Sequence, residues 1–445
     1  MKTKNPSFKL RSVSALHFLL VFLLILFLVS CKKNDNTGNN NHHASAYSSD
    51  VLDKWMAVQL RLMRNATGIP NHGFSRQFAY SGIAALESLA PGIPGNSLWR
   101  SKWNGLTGLP ATGHSKDYYY PANINGAMAA INRSLFPNAS TADKAVIDSL
   151  ENALTQEFLS TQTQSKLSVS AQFGKAVALA VFNWSETDGY KNANNPYTIP
   201  TGPGLWKPTA PAFTAPATPY WGNNRTVVTG STGGTQPAAP VAYSTDPSSA
   251  FYQMVKQVYD VSQTLTDDQK AMAAFWRDVP GVSSPGHWLS ILQQVIRIEK
   301  TSLDEAAVSY ALTGAAINDA LISCFKSKYQ YNLVRPITYI RDVMGNTSWS
   351  SYLGTPAHPE YVSAHSSLSA AAATIMEDLF GNTGPLTDHT YDYMGFAPRT
   401  YSSFSAIAEE AGLSRLYAGI HYMPSINAGL VQGRKVAGNI YSNKN

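Results

Sequence analysis

The sequence contains few cysteines and few charged residues for its length. Only two of its 445 residues are cysteines, Cys31 and Cys324, and 14% of the residues are charged. A lone cysteine in a helical stretch does not favour a thiolate-metal or redox role, so we expect Cys324 to be a buried small residue. Low charge together with 44% hydrophobic residues excludes a disordered chain and supplies a large core.

The sequence also lacks a long period-two alternation of apolar residues, the pattern typical of a half-buried strand. Apolar residues recur instead at helical spacing, as from Val51 through Trp55 to Leu62. Further helical stretches are expected near 121–135, 141–159, 168–187, 250–263, 266–277, 286–331, 336–344, 364–380, 401–418 and 425–440. The sequence therefore predicts an all-α fold of helical bundles.

Residues 189–249 break the helical pattern with glycines and ten prolines. The segment nevertheless contains Trp206, Phe213, Tyr220 and Trp221, which are too many large aromatics for a free linker. We predict a long, ordered Pro/Gly-rich excursion. It would divide one helical domain, 51–445, into N-terminal helices (51–188) and a second helical half (250–445).

The N-terminus is typical of an export signal. Four basic residues precede an uncharged apolar run that ends Leu28-Val29-Ser30-Cys31, which is similar to a bacterial lipobox. We expect residues 1–30 to be a lipoprotein signal peptide, Cys31 to carry lipid and residues 31–50 to form a flexible tether. A transmembrane anchor is the alternative, but the strongly apolar part is shorter than the ~20 residues that a bilayer core needs.

These expectations place the mature protein in the cell envelope, anchored to a membrane through Cys31 and facing the periplasm or the cell surface. Removal of the four basic residues lowers the formal net charge from +6 to +2. So small a positive charge gives little support to nucleic-acid binding.

Two segments of the second half place cations and a hydroxyl near predicted helix ends. Lys328 lies near the end of one helix, and Arg335, which precedes a proline, lies at the start of the next. Ser363 is a natural N-cap, so the amides of Ala364 and His365 lie at the positive end of a helix dipole. Such a helix start is suited to an oxyanion.

A third segment contains Arg415 and His421, six residues apart. On a continuous helix they would be separated by about 240° and would not share a face. Gly419 can end the helix and turn the chain, which would bring His421 back beside Arg415. Taken singly, the three segments also fit surface cations, an ordinary capped helix and a core histidine.

In this order the three segments resemble the type 2 phosphatidic acid phosphatase and haloperoxidase superfamily, whose signature is K-x6-RP, PSGH and SR-x5-H. Several further stretches are similar to bacterial vanadium haloperoxidases: 204–209, 275–278, 285–288 and 328–341. The resemblance extends over nearly all of residues 51–445. It implies the helical haloperoxidase fold and a vanadate cofactor.

The resemblance also implies which residues bind vanadate. Lys328, Arg335 and Arg415 would neutralise its equatorial oxygens. Ser363 and the Ala364 amide would donate hydrogen bonds to the same oxygens. The chemistry agrees, because a multiply charged oxyanion needs several fixed cations and donors.

Two histidines complete the site that the resemblance implies. His421 would be the axial vanadium ligand, and His365 would be the acid-base group. Hydrogen peroxide would bind at the vanadium, and a halide would be oxidised to a hypohalous species that can pass to an organic acceptor.

The sequence departs from the family pattern at three positions. Val362 replaces the usual proline, and Ala364 replaces the usual glycine. Ser425 replaces the aspartate expected four residues after His421, so the partner that would orient that imidazole is weakened, unless Asn427 substitutes for it. Residues 284–287 are a scrambled look-alike of the central motif, and we assign no catalytic role to its histidine.

Two further residues bear on the halide. His358 lies where the family's bromoperoxidases carry histidine and its chloroperoxidases carry phenylalanine, and Phe325 occupies a position that is usually tryptophan. The resemblance thus favours bromide or iodide, with simple cavity lining as the alternative role for both residues.

Two other functions fit the same motifs. An acid phosphatase would use His421 as the nucleophile, through a phosphohistidine, and His365 to protonate the leaving group. A non-catalytic lipoprotein that binds oxyanions would explain Ser425 and Ala364. The long aromatic excursion favours the haloperoxidase.

Overall fold

The computed structural model describes residues 43–95, 97–381 and 384–442. The predicted signal peptide and Cys31 lie outside the described residues. The predicted all-α fold is confirmed. The N-terminal helices are α1 (Asp50–Asn65), α2 (Phe74–Ser88), α3 (Ser97–Arg100), α4 (Tyr120–Leu135), α5 (Thr141–Leu159) and α6 (Gln164–Ser185).

The second half contains the remaining helices and one short antiparallel strand pair. The helices are α7 (Ala250–Gln263), α8 (Asp267–Phe275), α9 (Ser284–Glu299), α10 (Leu303–Tyr331), α11 (Pro336–Asp342), α12 (Ala364–Phe380), α13 (Phe404–Tyr417) and α14 (Met423–Ser442). The strands are β1 (Leu386–Asp388) and β2 (Arg399–Tyr401). The predicted stretch 286–331 is divided because Lys300 adopts a left-handed conformation, with φ 51°.

The long helix α10 forms the centre of the core. It packs against α2, where a Cβ at Gly82 would lie only 2.7 Å from the Tyr310 carbonyl oxygen, so glycine permits this close approach. Cys324 is buried within α10, as predicted, and burial raises the pKa of its thiol to about 11. By length and composition α10 could cross a bilayer, but 94% of its apolar 18-residue stretch is buried inside the protein.

The Pro/Gly-rich excursion is ordered, as predicted, and its Trp206 and Trp221 are buried. Asp319 of α10 holds it in place. The carboxylate accepts hydrogen bonds from the amides of Val227 and Val228, at 2.8 and 3.0 Å, and from the Ser231 hydroxyl at 2.7 Å. The excursion is therefore attached to the central helix through a buried carboxylate.

The predicted tether ends earlier than expected. Ala44 is buried, Ser48 pairs with Ser302 in an isolated β-bridge, and α1 begins at Asp50. The last residues of the 31–50 segment therefore pack on the domain. A short stretch without a helical pattern can still be fixed by tertiary contacts.

Helices α12 and α14 pack closely at the end of α12 that carries the second motif. A Cβ at Gly429 would lie 2.6 Å from the Ser363 carbonyl oxygen. The Ser363 amide donates to the Ser425 carbonyl at 3.2 Å. The start of α12 is thus fixed against the start of α14.

Candidate functional site

The three motif segments meet at one cavity of about 360 Å³. The sequence-predicted residues that line it are Phe325, His358, Ala364, His365, Arg415 and His421. The other three, Lys328, Arg335 and Ser363, are buried and contact these lining residues or the backbone between them. The fold therefore brings together every motif residue that the sequence singled out.

Lys328 lies in the last turn of α10 and is fully buried. Its ammonium donates hydrogen bonds to the carbonyl oxygens of Pro359 at 3.1 Å, Glu360 at 3.0 Å and Val362. Burial lowers the pKa of Lys328. In this structure its donors secure the loop before α12, a use that the motif alone did not indicate.

Arg335 is the N-cap residue of α11, followed by Pro336 at the first helical position, as the sequence predicted. Its guanidinium is buried and donates to the carbonyl oxygens of His358 at 2.9 Å and Ile420 at 2.8 Å. One terminal nitrogen lies 3.2 Å from His421 Nε2. Burial lowers the pKa of Arg335 to about 10.

Arg415 lies in the last turn of α13 and is buried. Its Nε donates to the Ser414 hydroxyl and its Nη2 to the Ala273 carbonyl oxygen, both at 3.0 Å. Its Nη1 has no hydrogen-bond partner in the described part of the chain. Burial lowers the pKa of Arg415 to about 10.

His421 follows the predicted turn, since α13 ends at Tyr417 and Gly419 has a φ of 77°. Its direct cationic neighbour is Arg335 rather than Arg415, which lines the same cavity. Burial, reinforced by Arg335 and Lys328, keeps the pKa of His421 well below the usual value. The imidazole is therefore neutral, as a metal ligand must be.

Glu360 is the partner of His421 that the motif comparison missed. Its Oε1 lies 2.7 Å from His421 Nδ1 and accepts the Tyr422 amide at 3.0 Å. Burial raises the pKa of Glu360, whereas Arg335 and Lys328 lower it. A carboxylate at Nδ1 leaves the proton there and the lone pair on Nε2, which is the tautomer that binds a metal.

Glu360 thus stands where the missing aspartate would act, although it comes from a different element. Ser425 lies beside the Glu360 carboxylate, whose pKa burial raises, whereas Asn427 is exposed. The alternative that Asn427 substitutes is not supported, because Asn427 is exposed and Nδ1 of His421 pairs with Glu360. The sequence carried one signal, since Glu360 is the only acidic residue in the motif segment 358–366.

His365 is held by residues 275–278, a segment that the sequence analysis noted only for its similarity to bacterial haloperoxidases. Its Nε2 lies 2.9 Å from the Trp276 carbonyl oxygen and 3.7 Å from an Asp278 carboxylate oxygen. A carbonyl only accepts hydrogen bonds, so Nε2 carries the proton and Nδ1 is free to accept one. Burial and the charge of Arg415 lower the pKa of His365 far below its usual value.

Ser363 caps α12, as predicted, and its hydroxyl accepts the Ser366 amide at 3.4 Å. Ala364 is the first helical residue and lines the cavity. The amides of a helix's first turn have no intrahelical acceptor, so they are available to an anion.

The remaining predicted residues divide between the cavity and the core. His358 and Phe325 line the cavity, with ring centroids 5.3 Å apart. His287, to which no role was assigned, is buried outside it and lies 2.6 Å from Asp388. Within the described ranges, no three His, Cys, Asp or Glu side chains are grouped as they would be around a metal cation.

Comparison with solved structures identifies the fold. The chain is similar to a bacterial vanadium-dependent iodoperoxidase, with a TM-score of 0.79 and 30% identity over 89% of this chain and 96% of that one. A bacterial vanadium-dependent chloroperoxidase in its holo form gives a TM-score of 0.63 and 17% identity over 86% and 93% of the chains. Its apo form gives 0.63 and 16% over 86% and 96%.

Sequence comparison identifies a known domain in the second half of the chain. The family described as the VCPO second helical-bundle domain matches residues 308–445, which contain all three motifs. None of the curated proteins matches the chain. The similarity to the iodoperoxidase over almost the whole of both chains, with the motif residues assembled at one cavity, shows that this chain belongs to the vanadium-dependent haloperoxidase family.

Proposed function

We propose that this haloperoxidase binds vanadate and uses hydrogen peroxide to oxidise iodide and bromide. The proposal rests on the positive charge around the cavity. Lys328, Arg335 and Arg415 are buried around one cavity. In the described part of the chain none of them forms a contact ion pair, and the carboxylates that act on them through space, Glu360 and Asp278, number two against three cations. Buried cations without such pairs are costly unless an anion compensates them.

The donor set fits vanadate. The free Nη1 of Arg415, the guanidinium of Arg335 and the amide of Ala364 would hold its oxygens, and His421 would bind vanadium through Nε2. Lys328, whose ammonium already donates to three carbonyl oxygens, would contribute its charge. Glu360 keeps the proton of His421 on Nδ1 and so keeps the lone pair on Nε2, which faces Arg335 in this structure. When bound, vanadate supplies a Lewis acid that activates hydrogen peroxide. Nδ1 of His365 can accept a proton as peroxide enters the cavity.

The preference for iodide and bromide rests on the cavity wall and on similarity. His358 and Phe325 lie together on that wall, in the positions on which the sequence expectation was based. The similar structure at 30% identity is an iodoperoxidase. The cavity, at about 360 Å³, also has room for a small organic acceptor.

The test is a comparison of halides with the purified, vanadate-loaded protein. At equal peroxide, kcat/KM is expected to be highest for iodide, lower for bromide and lowest for chloride. A chloride rate equal to the iodide rate would contradict the halide preference. Hydrolysis of a phosphate monoester without halide oxidation would instead favour the acid phosphatase.

We further propose that the protein is a cell-envelope lipoprotein anchored through Cys31, on the strength of the Leu-Val-Ser-Cys ending of its N-terminal segment. A Cys31→Ser variant would lose the lipid, and the protein is expected to leave the membrane fraction, because the lipid would be its membrane anchor. Membrane retention of Cys31→Ser after a salt wash would show that the apolar segment itself is the anchor.

A further inference from the structure

The active-site cavity has one more imidazole that none of the motifs contains. His72 lies in a short 3-10 turn, Asn71–Gly73, just before α2. It is more than 250 residues away from Phe325 in sequence, yet both line the cavity. The N-terminal half of the chain therefore contributes a titratable side chain to the site built by the second half.

Three contacts fix the ring of His72. Its centroid lies 4.5 Å from that of Phe325, at an interplanar angle of 33°. The Trp221 ring meets it edge-on at 4.7 Å. Its Nε2 lies 2.8 Å from the Thr218 hydroxyl oxygen. Two of these partners, Trp221 and Thr218, belong to the Pro/Gly-rich excursion, so that segment helps to hold a side chain of the active-site cavity in place.

Nδ1 of His72 is the nitrogen available to a ligand, whereas the Thr218 hydroxyl can either donate to Nε2 or accept from it. No hydrogen-bond partner of Nδ1 occurs among the residues that the structure describes. A Thr218 hydroxyl that donates to Nε2 leaves the ring proton on Nδ1. Burial and the charge of Lys328 lower the pKa of His72 to about 3, so the ring is a neutral donor with a single N–H.

Phe325 contacts a second imidazole, since the ring centroid of His358 lies 5.3 Å from its own. Aromatic edges carry partial positive charge and, with a neutral N–H donor, suit a large, polarisable anion. A small, strongly hydrated anion loses more on leaving water and regains less from such a wall. This wall therefore discriminates among halides by their hydration.

We propose that His72 is a halide-binding residue whose Nδ1–H donates to the halide beside Phe325, and that it sets the preference for weakly hydrated halides. The inference rests on the proposed function, because the halide is the substrate of that same site. Among the described residues His72 forms no hydrogen bond or ring contact with Arg335, Arg415 or His421, so its effect is separable from vanadate binding.

His72→Phe tests this directly, because phenylalanine keeps the ring stacked on Phe325 and removes the donor. The KM for iodide is expected to rise about tenfold, the loss typical of one hydrogen bond to a charged group. The Kd for orthovanadate, from titration, is expected to stay within about twofold of the parent's, since the ligands of the oxyanion are unchanged. His114→Phe, on an exposed histidine, is the matched control.

An iodide KM in His72→Phe equal to the parent's would overturn the inference and leave the proposed function standing, whereas a parent that oxidises no halide would overturn the proposed function. Anomalous diffraction from an iodide-soaked crystal of the parent decides the inference independently of turnover and of the variant's folding. Iodide within hydrogen-bond distance of His72 Nδ1 would support it. Iodide bound elsewhere in the cavity, or none there, would overturn it.

Discussion

Replacing His421 and His365 separately should divide vanadate binding from turnover. His421 presents Nε2 toward the cations, with its Nδ1 on Glu360. His365 bonds instead to the Trp276 carbonyl and is not hydrogen-bonded to Lys328, Arg335 or Arg415. We therefore expect His421→Ala to lose both vanadate and activity, and His365→Ala to keep most of the vanadate affinity while losing turnover.

The contacts of the two histidines indicate how large the losses of vanadate affinity and of turnover should be. Loss of a residue that orients a ligand typically costs 10–100-fold in metal affinity, and His421 is proposed as the ligand itself, so its loss should exceed about 100-fold. In His365→Ala the cations and the Ala364 amide remain, and vanadate affinity should change by less than about fivefold. Turnover should fall about 10²–10⁴-fold, as for removal of a general acid-base group.

The assay is orthovanadate titration of each purified apo-protein, followed by iodide oxidation at saturating vanadate. His389→Ala, which removes an exposed histidine paired with Asp392, is the control for histidine loss outside the cavity. Equal vanadate affinity in the parent and His421→Ala would refute the assignment of the axial ligand, and with it the reading of the third motif.

Three further outcomes follow from single contacts. Glu360→Gln should lower the rate of iodide oxidation about 10–100-fold, and adding Ser425→Asp to that variant should restore part of the rate. A Glu360→Gln protein as active as the parent would show that Glu360 does not orient His421. Arg415→Ala should weaken vanadate binding by about 2–5 kcal/mol, seen by calorimetric titration, and an unchanged Kd would mean that the free Nη1 does not face the anion. Asp319→Ala leaves four buried donors, those of Val227, Val228, Ser231 and Asn318, without their acceptor. It should lower the free energy of unfolding by about 3 kcal/mol or more, measured by urea denaturation beside Asp319→Asn, and a loss below about 1 kcal/mol would contradict that role.

Features governed by local chemistry were predictable from the sequence. Ser363 caps α12, Pro336 starts α11 and Gly419 turns the chain before His421. Each depends on the conformational preferences of one residue and its immediate neighbours, so a one-dimensional pattern carries the information. Fold class was predictable for the same reason, since helical periodicity repeats along most of the chain.

Features governed by tertiary contact were not predictable. Glu360 hydrogen-bonds to His421 although the two residues are 61 positions apart in sequence. A motif that places the carboxylate four residues after the histidine does not include that position. His72 reaches the cavity because α2 packs on α10, while the carbonyl acceptors of Lys328 belong to a loop whose path depends on the whole site. The family resemblance therefore identified the cations, and only the fold showed what orients them.

The most direct test of the account is reconstitution. The protein, freed of vanadate and dialysed against phosphate-free buffer, should not oxidise iodide with hydrogen peroxide, and stoichiometric orthovanadate should restore the rate. Inorganic phosphate should compete, because it is a tetrahedral oxyanion for the same three cations. Iodide oxidation that is independent of vanadate, or that follows iron or copper content instead, would contradict the claim that Lys328, Arg335, Arg415 and His421 form a vanadate site.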